Sequence, residues 1–260
     1  MRKNIRRTAV PAAVVSLALG LILSCEKDQE PVLPRLSDGE GLPYRSDLFV
    51  VKRPSDRPYP DRLGLDLYAY YIDGPGRHVR QLTEHRFEKA WVFTEEKGAA
   101  CLEGRWGYLD RSGDFVIAPQ FEWAEPFSEG AAAVKHLGRY GYVDHAGDFM
   151  IEPRFLNARF FARGLAPVLT EDGWVYIDQT GATIIPGPYE QAESFSFVVD
   201  RAAVKSGGKW GFIDMEGKMV VPPRYDSAGS FFMMGLSPRA PVKADDNWVY
   251  IDSEGAVVSR

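Results

Sequence analysis

One short motif recurs five times along the chain: an aromatic residue, glycine or valine, tyrosine or phenylalanine, an aliphatic residue and aspartate, with glycine three positions later. The copies begin at Trp106, Tyr140, Trp174, Trp210 and Trp248, at spacings of 34, 34, 36 and 38 residues. A period of this length is typical of repeat proteins, in which small units bury their apolar faces by packing on their neighbours. The repeats therefore constrain the fold more than any other feature of the sequence.

The remaining motif positions are predicted to serve the structure of each repeat. The aspartates are Asp110, Asp144, Asp178, Asp214 and Asp252, and the closing glycines are Gly113, Gly147, Gly181, Gly217 and Gly255. Glycine follows the first aromatic residue as Gly107, Gly141 and Gly211, and valine takes that place in the other two copies. A more divergent copy lies at residues 70–76.

The local pattern of each copy indicates short β-strands joined by tight turns. Side chains alternate between the two faces of a strand, so Trp106, Tyr108 and Asp110 share one face. The Asp-x-x-Gly segment predicts a turn, in which the aspartate accepts backbone N–H groups and the glycine supplies a positive φ. A hairpin precedes the motif and an aliphatic strand ending in proline follows it. Each repeat is therefore predicted to be a three-stranded β-meander.

These motifs resemble the WG-repeat (KWG-repeat) family of bacterial β-rich proteins over about residues 65–260. The resemblance implies an all-β domain of five or six tandem repeats. Two arrangements fit this expectation: a curved, solenoid-like row of meanders, and a closed, propeller-like ring of five or six small blades. Propeller blades usually contain four strands, so three predicted strands per repeat favour the row.

Residues 1–24 have the pattern of an export signal, with Arg2, Lys3 and two further arginines before an apolar run. The run ends in Leu21-Ile22-Leu23-Ser24-Cys25, which resembles the lipobox of bacterial lipoproteins. The resemblance implies that Cys25 carries diacylglycerol and further acyl chains such as palmitate, and becomes the mature N-terminus. Residues 25–64 are then a lipidated cysteine followed by a proline-rich tether, and residues 65–260 form the repeat domain.

The charge of the predicted mature chain bears on its partners. Without residues 1–24 it has 27 Lys and Arg against 36 Asp and Glu, a formal net charge of −9. An acidic chain without clustered cations is a poor binder of nucleic acid, because phosphate contacts need such clusters. Anionic lipid headgroups would also repel an acidic chain, so membrane attachment is expected through the lipid. The acidic residues that follow Cys25 favour the outer membrane, on its periplasmic or surface face.

The sequence nominates no catalytic residue, metal ligand or cofactor. The motif aspartates lie one repeat apart, whereas a calcium loop needs several oxygen ligands close together. Cys101 lies in a predicted strand and is expected to be a small core residue. The recurring Trp106, Trp174, Trp210 and Trp248 are expected to pack between repeats, although exposed rings of this kind can also stack on sugars.

Three functions are compatible with these features. The first is a lipid-anchored, non-enzymatic interaction module that presents its repeats to a protein or peptide of the cell envelope. The second is glycan or peptidoglycan binding by the repeated aromatic residues. The third is an envelope hydrolase, which would require converging carboxylates with shifted pKa values.

Overall fold

The computed structural model describes strands at residues 48–52, 67–73 and 78–81, and then residues 87, 89–91 and 93–258. All regular secondary structure in this part of the chain is β-strand, which confirms the all-β prediction. None of it is a helix long and apolar enough to cross a membrane. The predicted signal peptide (residues 1–24), Cys25 and most of the predicted tether lie outside the described residues.

The chain divides into two compact units, and the first of them spans Ser24–Ser194. Its strands are β1 (Leu48–Lys52), β2 (Leu67–Asp73), β3 (His78–Gln81), β4 (Lys89–Ala90), β5 (Gly98–Leu102), β6 (Arg105–Leu109), β7 (Phe115–Phe121), β8 (Trp123–Ala124), β9 (Ala132–His136), β10 (Arg139–Val143), β11 (Phe149–Phe155), β12 (Asn157–Ala158), β13 (Ala166–Thr170), β14 (Gly173–Ile177), β15 (Thr183–Tyr189) and β16 (Gln191–Ala192).

The first unit contains a row of small antiparallel sheets in chain order. Strands β1, β2 and β3 form a three-stranded sheet, and three four-stranded sheets follow: β4–β7, β8–β11 and β12–β15. Each sheet is a meander, because every strand pairs with the next one along the chain. The tandem β-repeats predicted from the sequence are thus confirmed.

The predicted count of three strands per repeat is corrected to four. The additional strand is the first of each sheet, and it joins the second strand through only two register pairs, such as Trp123 with Lys135 and Ala124 with Val134. Two residues are too few to show the alternation of apolar and polar side chains by which strands are recognised in a sequence. Four strands are also usual in a propeller blade, so strand number no longer favours the row over the ring.

The second unit contains residues Phe195–Arg260. Its strands are β17 (Ala202–Ser206), β18 (Lys209–Ile213), β19 (Met219–Tyr225), β20 (Ser227–Ala228), β21 (Phe232–Met234), β22 (Ser237–Ala244), β23 (Asn247–Ile251) and β24 (Val257–Val258). Strands β17, β18 and β19 pair in order, and the last sheet has the order β20-β22-β23-β24 with β21 added to β22.

The apolar cores lie between consecutive sheets. In the first unit, one core joins sheet β4–β7 to sheet β8–β11, and its buried residues include Trp106, Tyr108, Phe127, Val134 and Cys101. A second core joins sheet β8–β11 to the next sheet in the same way. Burying one large apolar side chain contributes about 1.5–3 kcal/mol, so packing on the neighbouring repeat stabilises each repeat.

The glycine after the first motif aromatic lies against the backbone of the neighbouring strand. A Cβ added to Gly107, Gly141 or Gly211 would lie 2.4–2.5 Å from a carbonyl oxygen on the following strand. The register shifts at this point, because the following strand bulges toward the glycine. Glycine is therefore required here, because the backbone of the neighbouring strand lies too close to leave room for a Cβ.

The third repeat accommodates Val175 by exchanging the glycine between strands. Its partner strand β15 carries Gly187, which has φ of 57°. A Cβ on Gly187 would lie 2.3 Å from the carbonyl oxygen of Trp174. The requirement for a residue without a side chain thus persists at the bulge, although the glycine has moved to the other strand.

Candidate functional site

The motif aspartates and closing glycines form the turns between the third and fourth strands. In all five copies, aspartate Oδ1 accepts the backbone N–H groups two and four residues later, at 2.8–3.2 Å. The closing glycines have φ of 79–90°. The Ser112 hydroxyl and the turn N–H groups hold the pKa of Asp110 below its ordinary value. These carboxylates are occupied by their own turns.

The recurring first aromatic residues are mostly part of the core. Trp106, Trp174 and Trp210 are 3%, 6% and 8% exposed, and Tyr140 is half-buried. Each pairs across the sheet with a second aromatic residue, as Trp106 does with Phe121. Trp248 is 58% exposed, because the described part of β24 pairs only with Tyr250 and Ile251.

A buried tyrosine links each repeat of the first unit to the next one. The hydroxyl of Tyr108 donates to the carbonyl oxygen of Glu125 at 2.7 Å. Two equivalent bonds of 2.7 and 2.8 Å run from Tyr142 to Arg159 and from Tyr176 to Glu193. Burial, followed by the charge of Glu125, raises the pKa of Tyr108 and Tyr142 well above the ordinary value.

Sequence reasoning missed these bonds, although a signal for them exists. The third motif position is tyrosine in four copies and phenylalanine only at Phe212, and a merely apolar site would show no such preference. The partner lies 17 residues further on in every case. This preference marks the hydroxyl as a candidate donor, but the acceptor is a backbone carbonyl oxygen, which no residue type signals.

The loop before the second strand of one sheet is hydrogen-bonded to the corresponding loop of the next sheet through a glutamate carboxylate. We call this series of contacts the ladder of carboxylates. Glu129 accepts the N–H groups of Arg163 and Gly164, both at 2.8 Å, and Glu95 accepts that of Gly130 at 3.0 Å. These turns have positive φ at both central residues, so their N–H groups point together at one anion. Each turn therefore binds the turn of the next repeat.

The residue whose carbonyl oxygen accepts the tyrosine bond varies between repeats. It is Glu125, Arg159 and Glu193 in the first unit, and all three side chains are half-buried. Arg159 contacts Glu193 at 2.9 Å and lies over the ring of Trp174, with its guanidinium carbon 5.5 Å from the ring centroid. The tyrosine hydrogen bond to the backbone is the same in each repeat, whereas the charged side chain that projects from that backbone differs.

Three tryptophans meet beside Glu125. The ring centroid of Trp91 lies 6.1 Å from that of Trp106 and 5.8 Å from that of Trp123. The indole N–H of Trp91 donates to the carbonyl oxygen of Ala124 at 2.9 Å. Because Trp91 and Trp123 are half-buried, this cluster extends the core to the surface.

The carboxyl group of Glu125 interacts with several groups of this region. Its Oε1 accepts the indole N–H of Trp123 at 2.9 Å. Burial raises the pKa of Glu125, while the Trp123 hydrogen bond and the Arg159 guanidinium oppose that change. Burial also raises the pKa of Tyr140, and the nearby charges of Glu125 and Glu122 raise it further.

We call Trp91, Trp123, Glu125, Tyr140 and Arg159 the aromatic–charged patch. All five side chains are half-buried, and they come from consecutive repeats of the first unit. Partly buried aromatic residues and an arginine are the side chains that contribute most to protein interfaces. Chemically, the patch offers ring faces, one guanidinium and one carboxylate to a ligand.

The repeated sheets, their shared cores and the tyrosine contacts define a tandem β-repeat protein. The sequence matches the family described as WG containing repeat at residues 106–140, 140–174, 176–210 and 210–248. These segments cover more than half of the chain, and the chain belongs to this family. The family unit is offset from the sheets: segment 106–140 begins in β6 of one sheet and ends in β10 of the next.

Three solved structures show similarity to this chain at low sequence identity. A eukaryotic initiation factor has 11% identity and a TM-score of 0.49, with 83% of this chain and 63% of that chain covered. Hsv2 from Kluyveromyces lactis has 12% identity and a TM-score of 0.47, with 80% and 71% covered. PorZ, a surface component of the type-IX secretion system of Porphyromonas gingivalis, has 12% identity and a TM-score of 0.44, with 78% and 31% covered.

This chain thus spans less than two thirds of the initiation factor and about a third of PorZ. No curated protein matches the chain at a significant level.

Proposed function

We propose that this protein is a non-enzymatic interaction module of the cell envelope, which binds a protein or peptide partner through the aromatic–charged patch. One observation carries the proposal: the position whose backbone each buried tyrosine holds carries a charged side chain whose sign alternates between repeats, as Glu125, Arg159 and Glu193. The recurring residues are engaged in the fold, whereas these variable side chains reach the surface beside aromatic rings.

Glycan binding by the recurring tryptophans has less support. The rings of Trp106, Trp174 and Trp210 are at most 8% exposed, so they present no face for a sugar to stack on. Trp248 is exposed, but it is a single ring. A row of aligned stacking residues, which the glycan hypothesis requires, is absent among the motif tryptophans.

Hydrolysis also has less support than binding. Glu125 and Glu193 both have a pKa raised by burial, as catalytic carboxylates often do. Yet Glu193 is held by Arg159 at 2.9 Å, and the backbone carbonyl of Glu193 is fixed by Tyr176. A carboxylate engaged in this way is poorly placed for acid–base catalysis, and Glu125 would have to act alone.

The proposal includes a lipid anchor on Cys25, which holds the domain at the outer membrane. Its support is the order of basic, apolar and small residues before Cys25. The Cys25→Ala variant is expected to move from the membrane fraction to the soluble fraction of lysed cells. The Cys101→Ala variant is the matched control and is expected to stay with the membrane. Unchanged membrane attachment of Cys25→Ala would refute the anchor.

Photo-crosslinking in intact cells tests the binding surface. Lys135 lies between Trp123 and Tyr140 in the strand register, so a photoreactive phenylalanine derivative at this position reports on the patch. The same derivative at Met150, which is 42% exposed on β11, is the control. We expect a discrete crosslinked protein at position 135 alone. No product, or the same products at both positions, would overturn the proposal.

A further inference from the structure

We infer that Glu125 and the adjoining rings of Trp123 and Tyr140 form a subsite for a cationic side chain of the partner, a lysine ammonium or an arginine guanidinium. The inference rests on the proposed function and adds to it the chemistry of the group that is bound. The inference is based on the Glu125 carboxylate, which is half-buried between aromatic residues. Within the described residues, this carboxylate accepts one side-chain hydrogen bond, from the indole of Trp123.

Glu125 differs from its neighbours in lacking a cation. Among the described residues, Glu122 lies 4.0 Å from the Nζ of Lys135 and Glu193 lies 2.9 Å from Arg159. No lysine or arginine nitrogen of this part of the chain lies within 4.0 Å of the Glu125 carboxylate. Arg159 acts on Glu125 only through its more distant charge.

The surrounding rings already attract the chain's own cations. Lys89 Nζ lies 6.0 Å from the ring centroid of Trp123, and Lys135 Nζ lies 5.8 Å from that of Tyr140. Electron-rich ring faces stabilise ammonium and guanidinium groups, most strongly where water is partly excluded. Lys89 is exposed and makes no ion pair with Glu125, so it borders the subsite without filling it.

The carboxylate of Glu125 favours a cationic ligand group over a neutral or anionic one. A carboxylate whose pKa is raised by burial has lost hydration, which the described residues replace with one hydrogen bond. An ammonium or guanidinium would supply charge-assisted hydrogen bonds to the remaining lone pairs. A neutral group would supply weaker bonds, and an anion would be repelled.

The indole N–H of Trp123 provides a direct spectroscopic probe of the subsite, because it donates to the Glu125 carboxylate. We propose to titrate the full mature chain with n-butylammonium, an analogue of the lysine side chain, and to follow this N–H resonance by two-dimensional NMR. n-Butanol is the neutral ligand control. The exposed indole of Trp248 reports nonspecific effects.

The expected result is a saturable shift of the Trp123 resonance with n-butylammonium. The affinity should be at least about tenfold lower for n-butanol, and also for n-butylammonium in Glu125→Gln. Glu193→Gln, which removes a carboxylate already paired with Arg159, should retain the shift. Equal shifts with both ligands, or an undiminished shift in Glu125→Gln, would overturn the subsite. Because crosslinking at position 135 is a separate measurement, failure of the subsite is distinguishable from failure of the proposed function.

Discussion

The phenolic O–H of Tyr142 donates a 2.7 Å hydrogen bond to the backbone carbonyl oxygen of Arg159, 17 residues further along the chain. Tyr142 is fully buried, whereas Arg159 extends to the surface, where it contacts Glu193 and Trp174. The same bond therefore stabilises the contact between two repeats and fixes the backbone from which a variable side chain projects. This residue pair therefore contributes both to the fold and to the candidate binding surface.

Tyr142→Phe should reduce the free energy of unfolding by about 1 kcal/mol, because a buried carbonyl oxygen loses its donor. The melting temperature should fall by about 3 °C. Tyr250→Phe is the matched control, since the Tyr250 hydroxyl has no hydrogen bond within the described residues, and it should leave the melting temperature unchanged. Equal effects of the two substitutions would show that the hydroxyl bond is unimportant.

Gly141→Ala should destabilise the protein by about 3 kcal/mol, because its Cβ would lie 2.4 Å from the carbonyl oxygen of Ile151. Gly187→Ala should have a similar effect for the same reason on the opposite strand. Val175→Ala, at the position equivalent to Gly141, removes only apolar contacts and should cost about 1–2 kcal/mol. Chemical denaturation of the three variants measures this order, and a Gly141→Ala protein as stable as Val175→Ala would contradict it.

Glu129→Ala should loosen the loop that contains Arg163 and Gly164, because their N–H groups lose the carboxylate that accepts them at 2.8 Å. Hydrogen exchange at these two amides should become about tenfold faster, while exchange in the cores is unchanged. Glu152→Ala is the control, since Glu152 is exposed and makes no such bond. Exchange that is the same in both variants would exclude the ladder of carboxylates.

The stability of the protein should depend on the ionisation of Glu125. Burial raises the pKa of Glu125 above its ordinary value of 4.5, so the native state binds the proton more tightly than the unfolded state does. The resulting stabilisation is complete below pH 4.5 and is lost as the pH rises through the native pKa.

Glu125→Gln should therefore raise the melting temperature at pH 7 and have little effect at pH 4. Trp123 and Arg159 are the groups that oppose the effect of burial on this carboxyl, and both remain in the variant. Melting curves between pH 4 and pH 8 measure the difference. A difference between variant and wild type that is constant with pH would contradict the shifted ionisation.

Contacts within one repeat were predictable from the sequence, whereas contacts between repeats were not. The all-β repeats and the turn at Asp110 follow from the spacing of aspartate and glycine and from alternating side chains. The bond from Tyr142 to Arg159 and the one from Glu129 to Gly164 depend on how one sheet packs on the next. No local pattern encodes that geometry.

The candidate site was missed for a related reason. The tryptophans recur regularly in the sequence, but most of their rings are buried. Glu125 follows a strand of only two residues that sequence patterns do not reveal, and the equivalent residue of the next repeat, Arg159, has the opposite charge. Because glutamate and arginine alternate at this position, no residue type recurs there, and only the structure shows that these side chains lie beside aromatic rings.

Crosslinking from intact cells, with the photoreactive residue at position 135, tests most directly whether variable surface residues carry the function. The yield of crosslinked partner is compared between the otherwise wild-type chain and Glu125→Gln, after melting curves have established that both are folded. We expect a discrete partner whose crosslinking yield falls several-fold in Glu125→Gln, although that variant is at least as stable. No crosslinked partner, or the same yield in both chains, would contradict it.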